Sequence, residues 1–145
     1  MKGKIDRQRV LEKLAYLEEQ LADLAQLAQE ATEDTLAKDP WKGRGVRYAL
    51  QTAIEAIIDI VYHVAAKGYS HAPADARDAV QYLARQGVFP ESEAEVLTQM
   101  IRFRNRLVHG YDRVDNHRLW EIITGRLSDF DLFKDRILQL LQRVP

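Results

Sequence analysis

The chain has 145 residues, 46% hydrophobic and 30% charged, with no cysteine and a net charge of −1. That size and balance suit one domain around one core, so residues 1–145 are expected to form a single helical domain. The lack of cysteine excludes disulfides and thiolate metal sites, and the near-neutral charge excludes a protein that coats nucleic acid by bulk electrostatics.

Seven glycines and four prolines leave few breaks, which favours long helices over many short strands. The first residues, Met1 to Asp6, lack the apolar core of a signal peptide. No stretch approaches the roughly 20 uninterrupted apolar residues of a membrane span. Even the most apolar run, Ala53 to Ala66, carries Glu55, Asp59 and His63. These features predict a cytoplasmic protein with no membrane contact.

A first helix is expected from about Asp6 to Leu36, with Asp6 as its N-cap. Val10, Leu14, Leu17, Leu21, Leu24, Ala28 and Ala31 alternate in steps of four and three, a seam along one face. The segment Lys38 to Gly45 breaks that pattern. A second helix follows from about Val46 to Lys67, closed by Gly68. A short third helix is predicted over Ala74–Gln86, after Pro73 and before Gly87. A fourth opens after Pro90, with Ser92 and Glu95 spaced as a capping box, and ends near Gly110. Its apolar positions are Val96, Leu97, Met100, Phe103, Leu107 and Val108. A last helical region starts near Asp115, with a break near Ser128. The fold class is therefore all-α, an up-and-down bundle of four to five helices. The wide apolar stripes leave a face for a dimer partner.

The usual chemical signatures are missing: no phosphate-binding glycine loop and no His-Glu-x-x-His zinc motif. The four histidines, His63, His71, His109 and His117, do not form a metal-ligand set. His63 lies one turn after Asp59; two ligands make a weak metal site, and a solvated or hydrogen-bonded pair is expected instead. Glu55 and Asp59, also one turn apart, could do acid–base work, but such pairs more often mark the solvent edge of a helix. His71 is assigned no role.

The segment Arg102 to Arg113 differs. It carries Arg102, Arg104, Asn105, Arg106, His109, Tyr111 and Arg113. From Arg102 to Arg118, five arginines face two aspartates, a local balance of +3 in a chain of net −1. Arginine meets two phosphate oxygens with one planar fork, and histidine carries protons near neutral pH. Together they suffice to cut RNA without a metal. A base takes the 2′-hydroxyl proton, the oxygen attacks the adjacent phosphorus, and an arginine meets the charge that develops.

Arg104 and His109 are five residues apart, about 140° around an ideal helix, whereas Asn105 and His109 share a face. One straight helix does not converge Arg104 on His109. Either the arginine wraps round, or the helix distorts before Gly110, or a second subunit completes the site. The plain structural account is that cations and a glycine simply cap a helix C-terminus.

Arg104-Asn105-Arg106-Leu107-Val108-His109-Gly110-Tyr111 resembles the Arg-x(4)-His-x-Tyr signature of the HEPN superfamily, in its HepT toxin branch. Tyr48 to Gly68 resembles that family's second helix, and Gln81 to Phe89 its short helix and turn. The resemblance implies a dimeric helical bundle whose two motifs line a shared cleft. It implies a metal-independent endoribonuclease, without cofactor, that serves as the toxin of a toxin–antitoxin pair. Its antitoxin would be a minimal nucleotidyltransferase of the MNT type that attaches AMP to the motif tyrosine. Carried onto this chain, Arg104 and His109 are the catalytic pair, Asn105 a supporting contact, and Tyr111 the AMPylation site. Arg102, Arg106 and Arg113 are candidate RNA contacts. The alternative is a non-catalytic helical subunit that docks a nucleotidyltransferase through the same basic patch. A second alternative, a purely structural bundle, predicts Arg104 and His109 pointing to separate faces, with His109 buried in hydrogen bonds.

Overall fold

The computed structural model describes residues 3–110 and 114–144. They form seven α-helices: α1 Arg7–Glu30, α2 Glu33–Lys38, α3 Pro40–His63, α4 Ala76–Arg85, α5 Glu91–His109, α6 Asn116–Gly125 and α7 Leu127–Arg143. One π-helical turn, Val64–Gly68, prolongs α3. No strand occurs among the described residues. Four long helices make the bundle, and three short ones turn its corners.

The first helix is shorter than its seam suggests. Asp6 does cap α1, accepting from the Arg9 N–H at 3.1 Å. Val10, Leu14, Leu17, Leu21 and Leu24 are buried. The helix then stops at Ala31, and Thr32 starts α2 with its N–H donating to the Thr35 hydroxyl at 3.0 Å. Two threonines that bond locally compete with the helix, a signal the alanine spacing concealed.

The central helix starts six residues earlier than its apolar stripe. Asp39 accepts from the N–H groups of Trp41 and Lys42, and Pro40 takes the first helical position. An acidic cap followed by proline is a start signal, and it overrides the glycines behind it. Gly43 is needed there, because a Cβ would stand 2.8 Å from the Leu36 carbonyl oxygen. α3 packs against α1, α2, α4, α5 and α6. Leu50, Ala53, Ile54, Ile57, Ile60 and Val61 are fully enclosed. By length and apolar content alone, Pro40–Gly68 would suffice to cross a membrane, but more than half of its most apolar stretch is buried inside the bundle.

At the other end, α5 starts at Glu91 with Pro90 at the cap. Ser92 lies inside the helix, so the expected capping box does not form. A bidentate pair anchors this end: Arg136 of α7 donates to both carboxylate oxygens of Glu93, at 3.0 and 2.8 Å. Ala94, Leu97, Thr98, Ile101 and Phe103 face the core, while Val108, expected there, is exposed. The break in the last region falls at Arg126, two residues before Ser128.

His63 does not pair with Asp59. Its Nε2 accepts the Asp6 N–H at 2.9 Å and pins the start of α1 to the end of α3. Asp59 instead meets Lys13 at 3.0 Å. An imidazole that accepts at Nε2 must be unprotonated there. Burial and the nearby Arg9 hold the His63 pKa below its ordinary value of 6.5. The unfolded chain therefore takes up this proton first. The stabilisation is complete above about pH 6.5 and is lost as pH falls through the folded-state pKa. The stability advantage of wild type over His63→Gln should shrink between pH 7.5 and 5.5 in urea titrations. An advantage that is constant or grows on acidification contradicts this contact.

Candidate functional site

The Arg-rich segment occupies the last turns of α5. The chain leaves that helix at Gly110, whose φ of 64° lies in the left-handed region and whose N–H closes on the Arg106 carbonyl at 3.1 Å. Glycine takes this conformation without the Cβ penalty, so the helix ends directly after His109. His109 is thus the final helical residue, and it is exposed. The buried histidine of a purely structural bundle is not what is found.

Arg104 lies one and a half turns earlier and points toward α3. Its Nε and Nη2 both donate to Glu55 Oε2, at 3.2 and 2.7 Å, and Nη1 donates to Asn105 Oδ1 at 3.2 Å. A guanidinium has about five N–H donors, so this arrangement leaves roughly two for a ligand. The side chains of Arg104 and Glu55 are 28% and 33% exposed, enough for an anion to reach the cation. Glu55 orients the fork against the helix wall. The structure brings Arg104, Asn105 and Glu55 together, with Asn105 serving the arginine rather than standing apart from it.

By spacing alone, Glu55 and Asp59 are a carboxylate pair one helical turn apart. The fold assigns them different partners, Arg104 and Lys13. The useful signal was a lone half-buried acid on an apolar helix, which requires a cation from another element. A polar groove runs between α3, α5 and the start of α4, lined by Glu55, Asp59, Tyr62, Arg77, Arg104 and Asn105.

Arg102 and Arg106 do not join this cluster. Both are exposed, and Arg106 lies over the Phe103 ring at 5.6 Å. Tyr111 and Arg113 lie outside the described residues. Among the other histidines, His71 Nε2 is 3.0 Å from Asp78 and its ring stacks on Tyr82 at 3.9 Å, which ties down the loop before α4. His117 meets Glu33 at 2.7 Å, joining α6 to α2, and that carboxylate raises its pKa.

The Arg104–Glu55 pair is partly exposed, so its loss should cost little stability while changing the arginine's freedom. In Glu55→Ala, the fold should lose less than about 1 kcal/mol. Exchange of the Arg104 Nε proton, followed by nitrogen-15 NMR, should become much faster. Unchanged exchange would mean that the pair does not hold the guanidinium in solution.

A family model described as ribonuclease HepT-like matches residues 17–137. A protein of Archaeoglobus fulgidus, provisionally named an RNase, is 33% identical over 138 residues, covering 95% of this chain and 92% of its own length. The mRNA nuclease HepT of Shewanella oneidensis is 30% identical over 88 residues, 61% of this chain and 66% of its own. In fold, the chain is similar to a tri-AMPylated Shewanella oneidensis HEPN toxin solved in complex with MNT antitoxin. That match has a TM-score of 0.82 at 24% identity, over 90% of this chain and 97% of the other.

Proposed function

The chain belongs to the HepT-like ribonuclease family, and from that premise we propose that it is the RNA-cleaving toxin of a toxin–antitoxin pair. It acts without a metal, on RNA in the cytoplasm, as a homodimer. The observation that carries this reading is the Arg104 guanidinium, preset by Glu55 and Asn105 with donors to spare, on the same short helix end as His109.

The chemistry follows from the residue types. One histidine accepts the proton of the ribose 2′-hydroxyl, and the freed oxygen attacks the neighbouring phosphorus. The P–O5′ bond breaks as the 5′-oxygen takes a proton from the other protomer's protonated histidine or from water, giving a 2′,3′-cyclic phosphate and a 5′-hydroxyl. Negative charge grows on the non-bridging oxygens as the fifth bond forms. A guanidinium already in place stabilises that state without reorganising, the larger share of such catalysis. Glu55 removes the rotamer search that a free arginine would need. Asn105, whose oxygen holds Arg104, keeps its amide nitrogen as a donor for the same phosphate.

The angle between Arg104 and His109 supports a composite site. About 140° of helix separates them. In a two-fold dimer, Arg104 of one protomer faces the partner's His109 across the cleft, and the symmetric centre forms at once.

The partner is an antitoxin nucleotidyltransferase of the MNT type, and Tyr111 is its target. The Shewanella toxin of similar fold is AMPylated and bound to such an antitoxin. Tyr111 follows His109 by two residues. An AMP group there adds a phosphate that competes with RNA for the arginines and fills the cleft.

Wild-type protein should cleave RNA in EDTA and leave cyclic phosphate ends. Arg104→Ala and His109→Ala should each lose at least about 100-fold in rate with helicity unchanged. No cleavage of several RNAs by wild type, or equal cleavage by all three proteins, favours a binding subunit instead. Tyr111→Phe should remain active after treatment with the nucleotidyltransferase and ATP; a variant still silenced and still AMPylated removes Tyr111 as the essential target.

A further inference from the structure

The exposed side of α3 continues from Glu55 toward the helix start, and its composition is unusual for a solvent face. Trp41 and Tyr48 are 76% and 64% exposed, among the largest apolar exposures on the molecule. Seven residues apart, they lie within about 20° of one another on the helix and about 10 Å apart along it. Glu55 is a further seven residues on, so the same line leads to Arg104. Arg44 lies between the aromatics, its guanidinium 5.0 Å from the Trp41 ring centre. Lys42 and Arg47 flank them, and Lys42 is exposed.

Gly45 sits on the same face between the two rings. A Cβ there would meet nothing within 4 Å. No packing constraint therefore requires glycine, and in a helix interior it costs about 1 kcal/mol relative to alanine. Its effect is a bare patch of backbone between Trp41 and Tyr48. Gly43, two residues earlier, is the opposite case, forced by the Leu36 carbonyl.

From this face we infer a track for single-stranded RNA that feeds the Arg104 centre; the inference rests on the ribonuclease reading and extends it. Trp41 and Tyr48 are stacking platforms for two bases, and the gap at Gly45 admits a flat ring against the helix. Arg44 and Lys42 meet the phosphates between them. Interleaved aromatics and cations are the pattern that binds single strands without reading sequence, because every base offers a π-face and every link a phosphate. A duplex keeps its bases stacked on each other and cannot use such platforms.

The charge on this face argues against a second copy as its occupant. A two-fold contact centred on this face would bring Lys42 and Arg44 close to their own copies on the partner, and interface cores are depleted of such charge. RNA supplies the missing anions.

The test uses the full-length protein and a labelled 2′-O-methyl oligonucleotide of twelve residues, which binds but cannot be cut. Fluorescence anisotropy in EDTA should give about tenfold weaker affinity for Trp41→Leu and for Tyr48→Leu. Gly45→Leu should weaken binding similarly. A double-stranded version should bind weakly and be indifferent to all three changes. Sedimentation should show each variant with the oligomeric state of wild type. Affinity that is unchanged in the variants overturns the track, as does equal loss on duplex. Variants that fall apart into smaller species assign the face to contact between copies. Binding is read without cleavage, so failure of the track is separate from failure of the ribonuclease reading, which would appear as uncut natural RNA in the same buffer.

Discussion

One ion pair, Glu55 to Arg104, ties the fold to the chemistry. It joins the most buried helix to the end of the helix that carries Arg104 and His109. α3 cannot move without disturbing the core, because residues such as Leu50, Ile57 and Val61 are fully enclosed. An acid on that rigid rod therefore gives Arg104 a fixed reference. The pair is only partly buried, so it contributes little to stability. Its value lies in orientation: three N–H groups of Arg104 point at Glu55 and Asn105, and the rest of the fork faces the groove.

The same rod explains the layout of the surface. Its inner side is aliphatic and enclosed. Its outer side passes from Trp41 through Arg44 and Tyr48 to Glu55, so the helix that holds Arg104 in place also carries the proposed RNA track. Gly110 sets the other boundary. By ending α5 in a left-handed turn, it leaves His109 at the helix tip, exposed and next to the segment bearing Tyr111.

Much of this was legible in the sequence, and the exceptions have physical causes. Leu14, Leu17 and Leu21 gave the seam of α1 because core positions repeat with the helix period. Gly110 gave the end of α5 because few other residues tolerate that turn. The break at Thr32 was hidden by alanines that fit the seam without needing burial. The start of α3 was misplaced because glycines were read as breaks, although Gly43 is demanded by close packing on Leu36. The Arg104–Glu55 contact spans 49 residues. Neither partner's local sequence identifies the other, and Asp59, one turn away, was the nearer suggestion. The motif was therefore visible, while the residue that orients it required the fold.

In the composite site proposed above, the arginine and histidine of each centre come from different protomers. Subunit mixing tests it most directly. Arg104→Ala and His109→Ala proteins, each inactive alone, are unfolded together, refolded as mixed dimers, and assayed on RNA in EDTA. Random pairing makes half of the dimers mixed, with one intact centre in each, so activity should return to about a quarter of wild type. No recovery, with mixed dimers confirmed by mass spectrometry, would contradict a site shared across the two-fold axis.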